Sequence, residues 1–464
     1  MSWPARIRLM SLPGRMQRIV VVLAAALLMT WPAFYNRYPM LYPDSMSYLE
    51  DGARAARALF LGDFSHEYGR SPLYSLVLLP LHLNITPWPI VALNAVLTAY
   101  VLWLVVRSLL TRRTLVAYLS LVAALSLFTG LAWFVSWIMP DILGPVLYLS
   151  VYLMVFAWDT LSRAERVVVP LLAWWAVASH ASHLILAAGL CGFLVLLLLL
   201  RRQPARHAVS AVGRVAIVVA AAVAAEVALN ACLYGKPSLS GRRPPFLMAR
   251  VIADGPGRWY LERHCGEVHW TVCGHVHQLP DSVRDFLWVP GGIWMSASGD
   301  EQDRLRAEER PLVMGVSREY PGKEVTVSAA HFWQQLQAFG VWGFDADAWT
   351  LEQFDAVLPG ARATYLRSRQ AEQKMPEGLF SLLQDGALAV SVVIIGLWIV
   401  LNRAGWSRRL IGLTAVIGFV VIANAAVTGI LSEVEDRYQA RVIWLVPLLA
   451  GVLLLTWLDQ RRVI

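Results

Sequence analysis

The chain has 464 residues, of which 57% are apolar and only 16% charged, against roughly a quarter charged in an ordinary soluble domain, so it is not a water-soluble cytosolic enzyme. A net charge of +8 would suit a nucleic-acid binder, but the arginines fall in short clusters between apolar runs rather than along one face. No nucleic-acid partner is expected. Runs such as Leu194 to Leu200 do not alternate apolar and polar residues, which excludes a transmembrane barrel and leaves membrane-spanning helices.

In chain order the pattern predicts about ten spans, at approximately 17–35, 88–110, 114–131, 136–157, 167–180, 183–200, 208–231, 386–402, 410–430 and 441–458. The first is long and is followed by Trp31-Pro32 and Tyr35 rather than by small residues, so no cleavable signal is expected. The stretch Ser71 to Leu83 is about 13 residues long before Pro87 and Pro89, which fits a re-entrant or interfacial helix. The run Val167 to Leu200 is too long for one crossing, and its polar break is Ser179-His180-Ala181-Ser182-His183. Arginines then sort the loops: Arg6, Arg8, Arg15 and Arg18; Arg107, Arg112 and Arg113; Arg163 and Arg166; Arg201, Arg202 and Arg206; Arg403, Arg408 and Arg409; Arg461 and Arg462. Short cytoplasmic loops are enriched in such residues, so both termini read as cytoplasmic in a multi-pass protein of a bacterial inner membrane.

This gives an N-terminal membrane module over 1–231 with an outer loop at 35–83, an extracytoplasmic soluble insert over 232–384, and a C-terminal membrane module over 385–464. The insert, about 150 residues with turn-rich patches such as Gly255-Pro256-Gly257, reads as a folded α/β or mixed domain with a helix near Ala329 to Phe339. Its tryptophans, Trp259, Trp270, Trp288, Trp294, Trp333 and Trp342, read mostly as core. Cys265 and Cys273 are close enough in sequence to pair in an oxidising compartment, the alternative being two free thiols. Cys191 reads as a small apolar residue within a span.

Polar groups held near membrane depth are costly, and here they collect at the outer loops. Tyr42 to Asp51 opens an amphipathic helix whose apolar residues Met46, Leu49, Ala53, Ala56 and Leu59 recur at helical spacing. Asp44 reads either as its N-cap or as a base. In Tyr68-Gly69-Arg70-Ser71-Pro72-Leu73-Tyr74, Arg70 is an anion site or a snorkelling cation. Asp141, after Met139-Pro140, enters the fourth predicted span, where a carboxylate is tolerable if it faces a wet cavity. His180 and His183, three apart, would share a helix face as a phosphate contact, as metal ligands or as a structural pair. Arg437 and Arg441, four apart in Glu433 to Arg441, suit an anionic head group or else form salt bridges within a charged loop.

Taken together, Asp44-Ser45 through Tyr48-Leu49 to Ala53, then Arg70-Ser71-Pro72-Leu73-Tyr74, an acid entering the fourth span, and Arg437-Tyr438 before a late span resemble the GT-C superfamily of integral membrane glycosyltransferases. The likeness is to the polyprenyl-phosphate mannosyl- and aminoarabinosyl-transferases and covers about two thirds of the chain, outside the insert. It implies a GT-C-like helical fold, a polyprenyl-phosphate sugar donor, a glycan, lipid or protein acceptor met in the membrane lipid, and transfer with inversion. Asp44 would then be the general base and Arg437 the first choice for the donor phosphate, with Arg70, Arg441 and His183 behind it. Many relatives carry two adjacent acids where this chain has Asp44-Ser45. Asp51, two turns on, faces the same side, so a divalent metal cofactor is allowed but not implied. The rival readings are a transporter or flippase of lipid-linked sugars, with Glu226 and Asn424 as its intramembrane polar groups, a polysaccharide polymerase or ligase, and a receptor anchored by its helices.

Overall fold

The computed structural model describes residues 14–64, 70–110, 114–202, 204–235, 237–239, 241, 243–341, 343, 348–401 and 406–461. Tyr68, Gly69, Trp342 and the arginines at 6, 8, 112, 113, 403 and 462 lie outside them. Among the described residues there are helices and one isolated bridge but no strand. This is an α-helical, multi-pass membrane protein: six helices are long and apolar enough to cross a membrane, namely Trp88–Leu109, Ala181–Leu200, Ala208–Leu233, Glu377–Leu401, Arg408–Leu431 and Asp436–Gln460.

The chain forms two compact units. The first comprises Met1–Gly241, Gly340–Val421 and Ala440–Ile464. It contains α1 (Gly14–Met29), α2 (Pro43–Leu61), α3 (Pro72–His82), α4 (Trp88–Leu109), α5 (Thr114–Phe128), α6 (Leu143–Phe156), α7 (Glu165–Ala178), α8 (Ala181–Leu200) and α9 (Ala205–Tyr234). Four of the expected spans appear as α1, α5, α6 and α7, with 16, 15, 14 and 14 residues. At 1.5 Å per residue these reach about 21–24 Å, short of a hydrocarbon layer of about 30 Å. Every residue of α6 is buried, so this helix is apolar all round because protein surrounds it. By contrast, exposed Leu, Val and Ile residues line Leu196 to Leu200 and Val390 to Leu401, as lipid-facing surfaces require.

Local chemistry sets the helix ends around the outer loop. Pro43 occupies the first turn of α2 and the Ser45 hydroxyl accepts the Tyr42 N–H at 2.9 Å, so Tyr42, not Asp44, is the N-cap. Gly62 closes α2 in the left-handed region at φ 71°, as a C-terminal glycine commonly does. Ser71 caps α3 by accepting the Tyr74 N–H at 3.2 Å. The long apolar run after Val167 divides as expected: His180 is extended at φ −158° and its ring accepts the Ser182 N–H at 3.2 Å, which starts α8.

The segment before α2 is held from two sides. Met40 and Trp137 form a parallel bridge, with Met40 N–H donating to Ser136 O and Ile138 N–H to Met40 O, each at 3.0 Å. Gln370, buried and more than 300 residues away, accepts the Leu41 N–H at 3.0 Å, donates to Leu41 O, and gives its own N–H to Asn36 Oδ1 at 2.7 Å. The first loop is thus fixed to the turn that carries Asp141. On α2 the buried apolar residues are Met46, Tyr48, Leu49, Gly52, Ala55 and Ala58, with Leu59 exposed. The covered face is therefore rotated from the expected one, because α3 packs where Gly52 permits close approach: a Cβ at Gly52 would lie 2.4 Å from Ser75 O.

The second unit comprises Arg242–Phe339 and Ile422–Gln439, with α10 (Phe246–Ala253), α11 (Pro256–Val268), α12 (Gly299–Glu319) and α13 (Pro321–Gln337). The expected α/β or mixed insert is corrected: Gly255-Pro256-Gly257 does not join strands but starts a helix, with Gly255 at φ 100° and Pro256 in the first turn. Residues 340–384 belong to the first unit, where Tyr365 packs on Tyr38 with ring centroids 5.6 Å apart. The second unit's core is mostly aliphatic, built on Met248, Ile252, Leu261, Leu305, Leu312 and Val316 together with Phe286. Of the second unit's described tryptophans only Trp294 is buried, whereas Trp259, Trp288 and Trp333 are exposed; helices filled by smaller side chains leave little interior for indoles. Cys265 and Cys273 are disulfide-bonded with Cα atoms 5.5 Å apart. Glu308 fixes the second of them by accepting the N–H groups of Thr271 and Val272 at 2.6 and 3.1 Å.

Gly52→Ala is expected to lower thermal stability in detergent by about 1–3 kcal/mol through overpacking against α3. Gly192→Ala, which meets nothing within 4 Å, should leave the melt unchanged or slightly raised. Of the 4 cysteines, only Cys191 and Cys232 are free. Mass-tagging of the denatured, non-reduced chain should therefore mark those two alone, and all four after reduction.

Candidate functional site

The first unit gathers polar side chains from the outer loop and four further helices. Asp44, in the first turn of α2, where the helix dipole favours a carboxylate, forms an ion pair with Arg70 just before α3. Arg70 also serves Asp51: its backbone N–H donates to that carboxylate. Asp51 is 2% exposed, reaches Arg54 Nη1 at 3.6 Å, and its Oδ2 has no hydrogen-bond partner among the described residues. Burial raises its pKa from 3.8 to about 7, with nearby Arg54 opposing the shift and Glu50 adding to it. A carboxyl poised near neutrality is well matched to proton transfer.

Helix α3 carries the next residues inward. Ser71 Oγ donates to Ala178 O at 2.8 Å and lies 3.0 Å from Glu226 Oε1, so the end of α7 and the acid of α9 meet at the same cap. Tyr74, fully buried, packs edge-on to Tyr48 at 5.0 Å and stacks on Trp175 at 5.9 Å, within electrostatic reach of Asp141. Asp141 stands in a 3₁₀ turn ahead of α6, and Arg441 Nη1 lies 3.6 Å from its Oδ1. Both are almost completely buried, at 3% and 1% exposure, a position that a charge holds only beside its opposite. Arg441 also donates to Ser182 Oγ at 3.1 Å.

His183 is buried against this pair and within electrostatic reach of both members. Its Nδ1 lies 2.8 Å from Ala176 O. A carbonyl can only accept, so Nδ1 carries a proton and donates it to Ala176 O, leaving Nε2 as the ring's other polar atom. That Nε2 and the Tyr148 hydroxyl, both without hydrogen-bond partners among the described residues, border the space beside Gly144, where a Cβ would lie 3.0 and 3.6 Å from them. His180 caps α8 rather than lying on it, so the expected shared helix face is corrected. The two rings still approach, with centroids 5.3 Å apart.

Of the residues singled out from sequence, Asp44, Asp51 and Arg70 come together, as do Asp141, Arg441, His183 and His180. Arg437 and Tyr438 belong to the second unit. There Arg437 lies over the Tyr438 ring at 5.0 Å, and Tyr438 O accepts from Asn424 at 2.7 Å. Nearby Glu433 is pushed up to about 7 by burial and by Glu435, with Arg437 and Arg284 opposing. The sequence motifs contain Ser71, Tyr74 and Ser182 without assigning them a role, and they do not include Tyr148. Glu226 had a usable signal, being the lone acid of an apolar helix. Among the described residues no group of three or more His, Cys, Asp or Glu is placed to hold a metal ion. Compared with known proteins, the chain matches no family model, no curated sequence and no solved structure.

Because Asp51 has a raised pKa in the fold, the stability associated with its protonated form is fully present below about 3.8 and is lost as pH rises through about 7. Melts across this window should fall with pH in the native chain, and Asp51→Asn should flatten that slope.

Proposed function

We propose that the protein is an inverting membrane glycosyltransferase that moves a sugar from a polyprenyl-phosphate donor to an acceptor hydroxyl at the non-cytoplasmic face. The observation that carries this reading is the union, in one unit, of two acid–guanidinium pairs, Asp44 with Arg70 and Asp141 with Arg441. Such a reaction needs a proton acceptor and a cation for a departing phosphate at neighbouring positions. The acceptor oxygen bonds to the anomeric carbon, its proton passes to the Asp44 carboxylate, and the carbon–oxygen bond to the phosphate breaks with its electron pair leaving on the phosphate. Arg70 and Arg441 stabilise that charge. Since Arg70 holds Asp44 at rest, a donor phosphate that takes over the guanidinium frees the carboxylate to act as base.

Sidedness and span number belong to the same reading. The arginine clusters of the alternate loops favour cytoplasmic termini, and the Cys265–Cys273 disulfide favours an oxidising outer compartment, such as the outer side of a bacterial inner membrane. On this view the short helices α1, α5, α6 and α7 also cross, in a locally thinned or protein-lined layer, which gives about ten passes. The transporter reading draws on Glu226, a carboxyl within the candidate span Ala208–Leu233. Its hydrogen bond to Ser71, next to Arg70, aligns it better with the transferase site.

Mass spectrometry of lipid copurified with the protein is expected to reveal a polyprenyl-phosphate sugar. Transfer from that donor in proteoliposomes should fall by about 10²-fold or more in Asp44→Asn, with insertion and melting intact, and strongly in Arg441→Gln, which also lowers the melting temperature because it leaves Asp141 buried without its counter-charge. Full activity in Asp44→Asn would overturn the assignment of the base. A bound small solute carried across vesicles without glycosyl transfer would establish the transporter instead.

A further inference from the structure

A second polar locus lies at the other end of α6. Fifteen residues separate Asp141 from Phe156, about 22 Å along a helix, and Phe156 borders a cavity of about 730 Å³ lined also by Trp158, Asp159, Arg166, Arg214, Arg408 and Arg409. Four guanidinium groups therefore face one carboxylate. Asp159 is committed to Arg409, whose other arm donates to Ser108 O at 3.1 Å. Arg214 is held rigidly, donating to Met154 O at 3.2 and 2.8 Å and to Ser210 Oγ at 3.0 Å. It lies over the Trp158 ring at 4.6 Å, and Arg166 lies over the same ring at 5.6 Å, close enough for the two cations to repel.

Arg166 and Arg408 have no acidic partner among the described residues. The neighbouring Arg107 shows the contrast: Glu165 neutralises it through two bonds of 2.8 Å. A cavity with such a surplus of fixed cations, opening among apolar helices, is stabilised by an anion that several guanidinium groups can share. Phosphate oxygens match that donor geometry, and basic pockets between membrane helices are suited to anionic head groups.

We propose that this cavity binds a phosphate-bearing anion, supplied by an anionic phospholipid head group or by a free phosphate compound. It is a site distinct from the Asp44–Arg70 and Asp141–Arg441 pairs and independent of the reaction assigned to them. Arg166 and Arg408 are the residues awaiting the ligand, and Arg214 and Arg409 form its prearranged floor.

The test uses the full-length protein in detergent, with native mass spectrometry against phosphatidylglycerol and phosphatidylcholine and thermal shift against inorganic phosphate. Phosphatidylglycerol adducts about tenfold more abundant than phosphatidylcholine adducts, and lost in Arg166→Gln/Arg408→Gln, would assign a lipid head group. Stabilisation by inorganic phosphate with the same arginine dependence, and no lipid preference, would assign a soluble ligand. Equal binding of both lipids together with no phosphate effect, or binding unchanged by the substitutions, would overturn the proposal. Arg408→Gln alone, at an exposed helix start, gives the same reading should the double variant fail to fold.

Discussion

Buried charge is the constraint around which the first unit is arranged. Arg441 and Asp141 are each withdrawn almost completely from solvent, where a charge without its opposite would be strongly destabilising. Their pairing requires the segment after α5 and the start of the last span to converge, although 300 residues separate them in sequence. The other helices near this point then take positions that complete the polar shell: Ser182 receives the second arm of Arg441, and Ala176 O fixes the ring of His183. The polar groups thereby determine the packing of apolar helices that, by themselves, have little preference for one neighbour over another in lipid.

The outer loop is specified by the same logic carried out with neutral groups. Asn36 and Gln370 are buried amides, and each satisfies backbone atoms of a segment that has no sheet or helix to satisfy them. Their bonds, with the Met40–Trp137 bridge, set the entry point of α2, and Gly52 sets how closely α3 approaches it. The entry of α2, and with it Asp44, is therefore positioned by contacts that do not involve the Asp44–Arg70 ion pair. Substitutions at Asn36 or Gln370 would disturb the ion pair without touching it.

Much of this was legible in the sequence. Composition and run length gave the helical membrane class, and the polar break at Ser179 to His183 marked the junction of two helices. Asp44, Arg70, Asp141 and Arg441 stood out because charge beside apolar runs is costly unless it is used. Tyr148 does not stand out, since an aromatic residue in an apolar run looks like lipid-facing or core material until its hydroxyl is found buried. The geometry of His180 is not legible from spacing, because a three-residue interval implies a shared face only inside a helix and His180 caps one instead. The insert was read as mixed α/β from its glycines and prolines, yet proline in a first turn starts helices as readily as it ends strands. Asp51 is the instructive case: its spacing from Asp44 was visible, but its burial depends on α3, which packs against it through Gly52.

The relation between Asp44 and Asp51 bears on how such a site would be controlled. Arg70 serves both, by its side chain toward Asp44 and its backbone toward Asp51. A ligand anion that draws the guanidinium away leaves Asp44 with one fewer counter-charge while the backbone bond to Asp51 is unaffected. The two carboxyls are therefore not equivalent: one is exchangeable in its pairing, the other is held by burial near its neutral form. On the proposed reading, with Asp44 as the base, the resting ion pair with Arg70 keeps that base neutralised until an anion takes over the guanidinium, which ties reactivity to occupancy.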